Sequence, residues 1–137
     1  MDKSAVALLS MFAILATLFG CSSGIPPGAS TPRDIDHVQA ARMLVSDNPP
    51  LVLDVRSPGE FVGELGHMPG ARLIPLNLLQ DSLAVLSHFK DREIIAVCRS
   101  GRRSGIAAEQ LARAGFDKVY NLKGGMVQWK QNGGKTE

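Results

Sequence analysis

The spacing of hydrophobic and polar positions alternates along the chain between the period of a strand and that of a helix. Short runs rich in strand-forming residues predict four β-strands. These runs lie at residues 51–55, 72–75, 93–97 and 119–122. Apolar residues three to four apart, or residues typical of helix starts, predict helices at 37–45, 57–61, 76–89, 104–113 and 126–131. Strands alternating with helices at short intervals predict an α/β fold, in which a parallel sheet is covered by helices on both faces.

Several of the predicted helices carry terminal signals. Asp36 is a candidate cap for the first helix, because a side-chain oxygen there can accept a free backbone N–H. Pro58 suits the first turn of the second helix, where a missing N–H costs no hydrogen bond. Ser104 is a candidate cap for the fourth helix, and Gly115 is placed to end it in a left-handed conformation.

The beginning of the chain has a different composition from the rest. Residues 5–20 are almost wholly apolar, but the run is short for a membrane-spanning helix, which needs about 20 such residues. The run fits the hydrophobic region of a secretory signal peptide at residues 1–20. Residues 21–34 contain prolines, glycines and small residues, which predict a flexible tether. The folded domain is expected at residues 35–134.

The residues before Cys21 give the signal peptide a more specific interpretation. The sequence Leu-Phe-Gly-Cys at residues 18–21 resembles a bacterial lipobox. This resemblance implies cleavage before Cys21, attachment of lipid to that cysteine, and a domain anchored to a cell-envelope membrane, facing the periplasm or the exterior. Plain secretion and an uncleaved anchor are the alternatives. If Cys21 is acylated, Cys98 is the one free thiol of the mature chain, so no intramolecular disulfide can form.

Length and charge restrict the possible partners. The chain has 137 residues, of which 45% are hydrophobic and 20% are charged, as expected for one globular domain. Its net charge of +2 is too small to suggest binding of nucleic acid. The basic residues cluster at Arg99, Arg102 and Arg103, a pattern that suits a small anion better than a polymer. The three histidines show no metal-ligand spacing, so neither a metal nor another cofactor is expected.

The candidate reactive group is Cys98, which follows an apolar strand and precedes a predicted helix. The backbone N–H groups at a helix start have no partners within the helix, and the helix dipole is positive there. A thiol in that setting, beside three arginines, is expected to ionise at neutral pH. Gly101 allows the loop to curl, so that its N–H groups can surround an anion. A buried structural cysteine is the simpler alternative.

Several short motifs occur in a fixed order along the chain. They lie at residues 53–56 with 60–61, 66–71, 74–75, 98–104, 115–116, and 122–125 with Trp129. This series resembles the rhodanese (thiosulfate sulfurtransferase) family, and most closely its small, exported, single-domain members. The resemblance implies a five-stranded parallel sheet with helices on both faces. It also implies that Cys98 is catalytic and that Arg99, Ser100, Gly101, Arg102 and Arg103 bind substrate.

The resemblance further implies a sulfurtransferase. Cys98 would take the outer sulfur of thiosulfate as a persulfide and pass it to cyanide, a small thiol or a protein thiol. A persulfide carrier or interaction module without steady turnover is one alternative. A cysteine-based phosphatase or arsenate reductase is another, but those enzymes place arginine six positions after the cysteine. Here Arg103 comes one position early, which makes the loop short for a tetrahedral phosphate.

Overall fold

The computed structural model of this protein describes residues 30–137. The strands are β1 (Arg33–Ile35), β2 (Leu51–Asp54), β3 (Arg72–Leu73), β4 (Glu93–Val97) and β5 (Lys118–Leu122). The α-helices are α1 (His37–Leu44), α2 (Pro58–Phe61), α3 (Leu83–Leu86), α4 (Arg102–Arg113) and α5 (Gly125–Gln131). The predicted signal peptide, the lipidation of Cys21 and most of the tether lie outside the described residues.

The five strands form one sheet in the order β1-β5-β4-β2-β3, and every neighbouring pair is parallel. This confirms the predicted α/β fold with a five-stranded parallel sheet. Since the strands are parallel, their carboxyl ends meet at one edge of the sheet, where ligands of open α/β folds usually bind. Strand β4 lies at the centre of the sheet, so the residue that follows it has β5 on one side and β2 on the other.

Side chains of successive strand residues point to opposite faces and build two cores. One core contains Leu53, Ile94, Ala96 and Val119 from the strands, together with residues of α4 and of the segment 76–89. The other contains Val52, Ile95, Val97 and Leu122, together with residues of α1 and α5. Trp129 belongs to this second core and is 4% exposed, so it packs in the interior of the protein.

The helix-start predictions hold for α1 and α2. The Asp36 carboxylate accepts the Gln39 N–H at 2.8 Å, and the Gln39 side chain accepts the Asp36 N–H in return. Ser57 and Glu60 form the same reciprocal capping box at α2, which contains Pro58 at its start. Each box satisfies backbone donors that a helix start otherwise leaves free.

The prediction of one helix over residues 76–89 is wrong. The structure instead has 3₁₀ turns at Leu76–Leu78, Gln80–Ser82 and Ser87–Phe89 around the short helix α3. Most of the apolar residues in this segment are three apart, which matches the three-residue turn of a 3₁₀ helix. The hydroxyls of Ser82 and Ser87 also donate to the carbonyls of Leu78 and Ala84, an interaction that competes with a regular helix.

The hydrophobic pattern predicts four strands, and only the family resemblance implies the fifth. Strand β1 begins at Arg33, inside the segment assigned to the tether, and pairs with β5 from Tyr120 to Leu122. The Arg33 guanidinium donates to the Tyr120 hydroxyl at 2.6 Å, and the Ser30 hydroxyl donates to the carbonyl of Phe116. The structured domain therefore includes residues before position 35. Among residues 30–137, no helix has both the length and the apolar character needed to cross a membrane.

A buried ion pair stands at the carboxyl end of β2. Asp54 is fully buried and Arg56 is 1% exposed, and the Arg56 Nη2 and Asp54 Oδ2 atoms are 2.7 Å apart. The remaining guanidinium donors reach the carbonyls of Glu60 and Gly66, at 3.1 and 2.7 Å. All three guanidinium nitrogens therefore donate hydrogen bonds, and the pair ties α2 and the following loop to the sheet.

We expect Arg56→Met to reduce the free energy of unfolding by about 3–5 kcal/mol, because it leaves the Asp54 carboxylate buried without its partner. Chemical denaturation at neutral pH measures this loss. Arg42→Met, at an exposed position of α1, is the matched control and should change stability by less than about 0.5 kcal/mol. Equal losses in the two variants would contradict this account of the pair.

Candidate active site

The loop that follows β4 is held in place by the start of α5. The N–H groups of Met126 and Val127 donate to the carbonyls of Cys98 and Arg99, at 2.9 and 3.1 Å. This close approach requires glycine at position 125, where φ is 55° and a Cβ atom would collide with the Cys98 carbonyl oxygen. The first turn of α5 therefore fixes the backbone of Cys98 at the edge of the sheet.

The loop then turns so that its own backbone faces the Cys98 sulfur. Gly101 has φ of 97°, in the left-handed region that favours glycine, and its N–H donates to Cys98 Sγ at 3.1 Å. Gly101 also occupies the position directly before α4, so the first free N–H groups of that helix follow it. The predicted curl of the loop is therefore present in the structure, with the sulfur on its inner side.

Ser104 has a different role from the predicted one. Gly101, not Ser104, precedes the first residue of α4, so the prediction of Ser104 as the helix cap is wrong. Ser104 is fully buried, and its Oγ lies 3.3 Å from Cys98 Sγ and 2.6 Å from Asn121 Oδ1. A hydroxyl on the third residue of the helix is too late to cap it, but the position directs the hydroxyl back toward the loop.

The protonation of Cys98 reflects two opposing effects. Burial raises the pKa of the thiol, since Cys98 is only 1% exposed and an anion loses solvation there. Hydrogen bonds from the Ser104 hydroxyl and from the N–H groups of Ser104, Ser100 and Gly101 lower it. These hydrogen bonds prevail, so the pKa of Cys98 lies below its ordinary value. The direction is the predicted one, and hydrogen bonds from local donors are its main cause.

The loop residues predicted to bind substrate do not share one environment. Arg99, Ser100 and Arg102 are exposed at the surface of the loop. Arg99 also lines a cleft of about 350 Å³ beside the loop. Gly101 is half-buried against the sulfur. A contact of these residues with substrate stays a prediction.

Arg103 is engaged by a residue that sequence reasoning did not include in the site. Its two terminal nitrogens donate to the two carboxylate oxygens of Glu60, at 2.7 and 2.6 Å. Such paired charge-assisted bonds hold both groups in a fixed plane. Arg103 therefore links the start of α4 to α2. The motif Ser-x-x-Glu at residues 57–60 could have marked Glu60 as a helix-start residue, but its link to Arg103 spans 43 positions.

This arrangement also bears on the phosphatase alternative. A phosphate-binding loop needs its arginine directed at the bound oxyanion, six positions after the cysteine. Arg103 stands at the fifth position and is directed at Glu60. The remaining donors around Cys98 converge on the sulfur at hydrogen-bond distance, which suits an anionic sulfur atom more than a tetrahedral group.

The neighbouring loop is held by contacts of its own. His67 stacks on Phe61 with ring centroids 3.7 Å apart, and His67 Nδ1 lies 3.1 Å from the Phe61 carbonyl oxygen. The backbone of His67 exchanges hydrogen bonds with that of Glu137. These contacts agree with a structural role for His67. Within the described part of the chain, no three His, Cys, Asp or Glu side chains lie close enough together to hold a metal ion.

The Glu60–Arg103 pair predicts a pH dependence of stability. The Arg103 guanidinium lowers the pKa of Glu60 from its ordinary 4.5 to about 2. A carboxyl whose pKa is lower in the folded state stabilises the fold above pH 4.5, and this contribution disappears as the pH falls toward 2. Glu60→Gln should therefore be less stable than the wild type at neutral pH, with the difference shrinking between pH 4.5 and 2.

Denaturant unfolding across this pH range measures the difference. Glu109→Gln is the control, since Glu109 pairs with Arg113 on the exposed face of α4 at 3.8 Å, where ion pairs contribute little. A constant difference between Glu60→Gln and the wild type at all pH values would contradict the ion-pair account.

Comparison with known proteins agrees with this geometry. The chain is 32% identical over 100 residues to a sulfurtransferase of Allochromatium vinosum, covering 73% of this chain and 90% of that protein. It is 42% identical over 86 residues to the uncharacterized protein YqhL of Bacillus subtilis, covering 63% of each chain. Among solved structures, a rhodanese-like domain protein of Staphylococcus aureus superposes with a TM-score of 0.66 at 30% identity. That match covers 77% of this chain and 98% of the other.

The family assignment follows from these similarities together with the sheet topology. Residues 37–132 match the family described as the rhodanese-like domain, which is well over half of the chain. The family includes proteins named sulfurtransferases, so transfer of sulfur is the general chemistry that the match supports. The chain belongs to the rhodanese-like domain family.

Proposed function

We propose that this protein is a thiosulfate sulfurtransferase that works through a persulfide on Cys98. The observation that carries the proposal is the convergence of Gly101 N–H and Ser104 Oγ on a single sulfur atom, at 3.1 and 3.3 Å. Donors so placed stabilise a negative charge on that sulfur, which a nucleophilic thiolate requires. The relatives named sulfurtransferases support the same class of chemistry.

The reaction takes place in two displacements on sulfur. The Cys98 thiolate attacks the outer sulfur of thiosulfate, a new S–S bond forms, and sulfite leaves with the electron pair of the broken bond. A thiophilic acceptor, either cyanide or a thiol, then attacks the outer sulfur of the persulfide. The electron pair of that S–S bond returns to Cys98, which is again a thiolate. No redox cofactor is needed. The first step exchanges the S–S bond of thiosulfate for that of the persulfide, and the second exchanges the persulfide S–S bond for an S–C bond to cyanide or an S–S bond to a thiol.

The exposed arginines suit the first step. Thiosulfate is a dianion, and so is the sulfite that leaves. Arg99 and Arg102 lie at the loop surface, where guanidinium groups can attract and orient an oxyanion. Arg103 contributes differently, since its bidentate bond to Glu60 fixes the loop.

The direct test is a steady-state assay of thiocyanate formation from thiosulfate and cyanide. The wild-type chain should turn over, whereas Cys98→Ser should lose activity to the uncatalysed level because oxygen cannot form the persulfide. Arg99→Ala and Arg102→Ala should raise KM for thiosulfate more than they lower kcat.

A matched control is Arg113→Ala, which removes a cation from the far end of α4 and should leave KM unchanged. Absence of thiocyanate with the wild-type chain, or its persistence in Cys98→Ser, would contradict the proposal. Loading of one sulfur without turnover would favour a persulfide carrier. Hydrolysis of a phosphate ester by the same sample would favour the phosphatase alternative.

We also propose that the mature chain is anchored to a cell-envelope membrane by lipid on Cys21, with the domain facing the periplasm or the exterior. The support is the apolar run at residues 5–20, which ends in the Leu-Phe-Gly-Cys sequence. A fatty acid adds membrane affinity through its buried methylene groups.

Metabolic labelling with a radioactive fatty acid tests this anchor. The wild-type chain should carry label and remain with the membrane fraction, and Cys21→Ser should lose the label. Cys98→Ser is the matched cysteine control and should keep the label. Label that survives Cys21→Ser would count against the anchor.

A further inference from the structure

A line of hydrogen bonds leads away from the Cys98 sulfur to the edge of the sheet. Ser104 Oγ lies 3.3 Å from Cys98 Sγ and 2.6 Å from Asn121 Oδ1. The Asn121 side-chain N–H donates to Asp34 Oδ1 at 2.9 Å. The members lie on different elements, α4, β5 and β1, and they become more exposed from Ser104 to Asp34. None of the interactions assigned so far to sulfur transfer uses Asn121 or Asp34.

The hydroxyl of Ser104 has one hydrogen and two neighbours that can accept it. Asn121 Oδ1 is the closer acceptor, and its distance of 2.6 Å is that of a short hydrogen bond. While Cys98 is a thiol, its S–H can donate to Ser104 Oγ, and Ser104 can donate to Asn121. Once Cys98 is a thiolate it can only accept. The Ser104 hydroxyl must then rotate away from Asn121 to donate a hydrogen bond to the sulfur.

We propose that Asn121, oriented by Asp34, is a positioning residue that competes with the Cys98 sulfur for the Ser104 hydrogen and so limits how readily Cys98 ionises. Asp34 strengthens the competitor, because a carboxylate that accepts from the amide N–H makes the amide oxygen a better acceptor. The inference rests on the proposed function in one respect, namely that Cys98 is the reacting thiol.

Such competition suits the Cys98 sulfur, which acts first as a nucleophile and then as a leaving group in each catalytic cycle. As a nucleophile, a thiolate loses intrinsic reactivity as its pKa falls, whereas as a leaving group it departs faster. When an acceptor takes the outer sulfur, the electron pair of the S–S bond returns to Cys98 Sγ. The Ser104 O–H can then rotate toward that charge, with no proton transferred. When Cys98 Sγ is no longer a thiolate, the Ser104 hydroxyl donates to Asn121 again.

The charged groups around this line are already paired or remain the same in every variant proposed below. Arg103 stands at the start of α4, five positions after Cys98, and its guanidinium is bound to Glu60 of α2. Asp54, at the end of β2, is bound to Arg56. The cations of the loop itself are Arg99 and Arg102. On the Asp34 side, Glu109 and Arg113 of α4 line the same pocket of about 400 Å³ and pair with each other.

The test measures the ionisation of Cys98 directly, from the ultraviolet absorbance of the thiolate as a function of pH. It uses the full chain, and the titration of Cys98→Ser is subtracted to remove every other chromophore. Asn121→Ala should lower the midpoint by about half a unit to one unit, the equivalent of one hydrogen bond. Asp34→Asn, which keeps the shape of the side chain, should lower it by less because that position is exposed.

Ser104→Ala should move the midpoint in the opposite direction, because it removes a donor to the thiolate. Asn121→Ala added to Ser104→Ala should then have no further effect, since Asn121 acts only through the hydroxyl. Tyr120→Phe is the matched control. It removes the neighbouring hydroxyl of β5, which is hydrogen-bonded to Arg33 and Glu93, and should leave the midpoint unchanged.

A midpoint that rises or stays constant in Asn121→Ala would overturn the proposal, and so would an undiminished effect of Asn121→Ala in the absence of the Ser104 hydroxyl. Equal shifts of the titration midpoint in Tyr120→Phe and Asn121→Ala would indicate a general loosening of the loop and would also overturn the proposal. The titration needs no sulfur donor, so its result is separate from that of the thiocyanate assay.

Discussion

The hydrogen bond from the Gly101 N–H to the buried sulfur of Cys98 is the contact that the rest of the site maintains. Cys98 belongs to the hydrophobic core on one face of the sheet, where an unaccompanied negative charge is unfavourable. The sulfur can ionise there only if donors are already in place. Gly101 supplies one of them because its positive φ points the N–H inward, and the Ser104 hydroxyl lies 3.3 Å from the sulfur, where it can turn to donate as well.

The surrounding contacts keep these donors in position. The start of α5 binds the carbonyls of Cys98 and Arg99, which fixes one side of the loop. The Arg103–Glu60 pair fixes the other side by joining α4 to α2. The buried Asp54–Arg56 pair then attaches α2 and its following loop to the sheet. Neutral donors thus stabilise the sulfur, while Arg99 and Arg102 stay exposed at the surface of the loop.

Much of this architecture could be predicted from local pattern. The α/β alternation, the capping residues Asp36 and Ser57, and the position of Cys98 after a buried strand all depend on residues close together in sequence. Strand β1 could not be predicted in this way, because three residues, two of them charged, show no strand period. Its place depends on pairing with β5, more than 80 positions away.

The wrong predictions at the site also concern contacts between residues that are far apart in sequence. Ser104 has the chemistry of a helix cap, but the left-handed Gly101 begins the helix earlier and turns the Ser104 hydroxyl to the sulfur. The three clustered arginines suggested one shared role, yet a carboxylate 43 positions earlier in the chain engages Arg103. Asn121 and Asp34 carry no recognisable motif. They reach the site only because β1, β5 and α4 meet there.

The central claim is that the buried Cys98 holds one sulfur atom as a persulfide. The most direct measurement is mass spectrometry of the full chain after brief exposure to thiosulfate and removal of the excess, with fragmentation to locate the modification. The account predicts an added mass of one sulfur on Cys98, lost when cyanide is supplied and absent in Cys98→Ser. A chain that gains no sulfur on Cys98, or whose added sulfur cyanide does not remove, would contradict the claim.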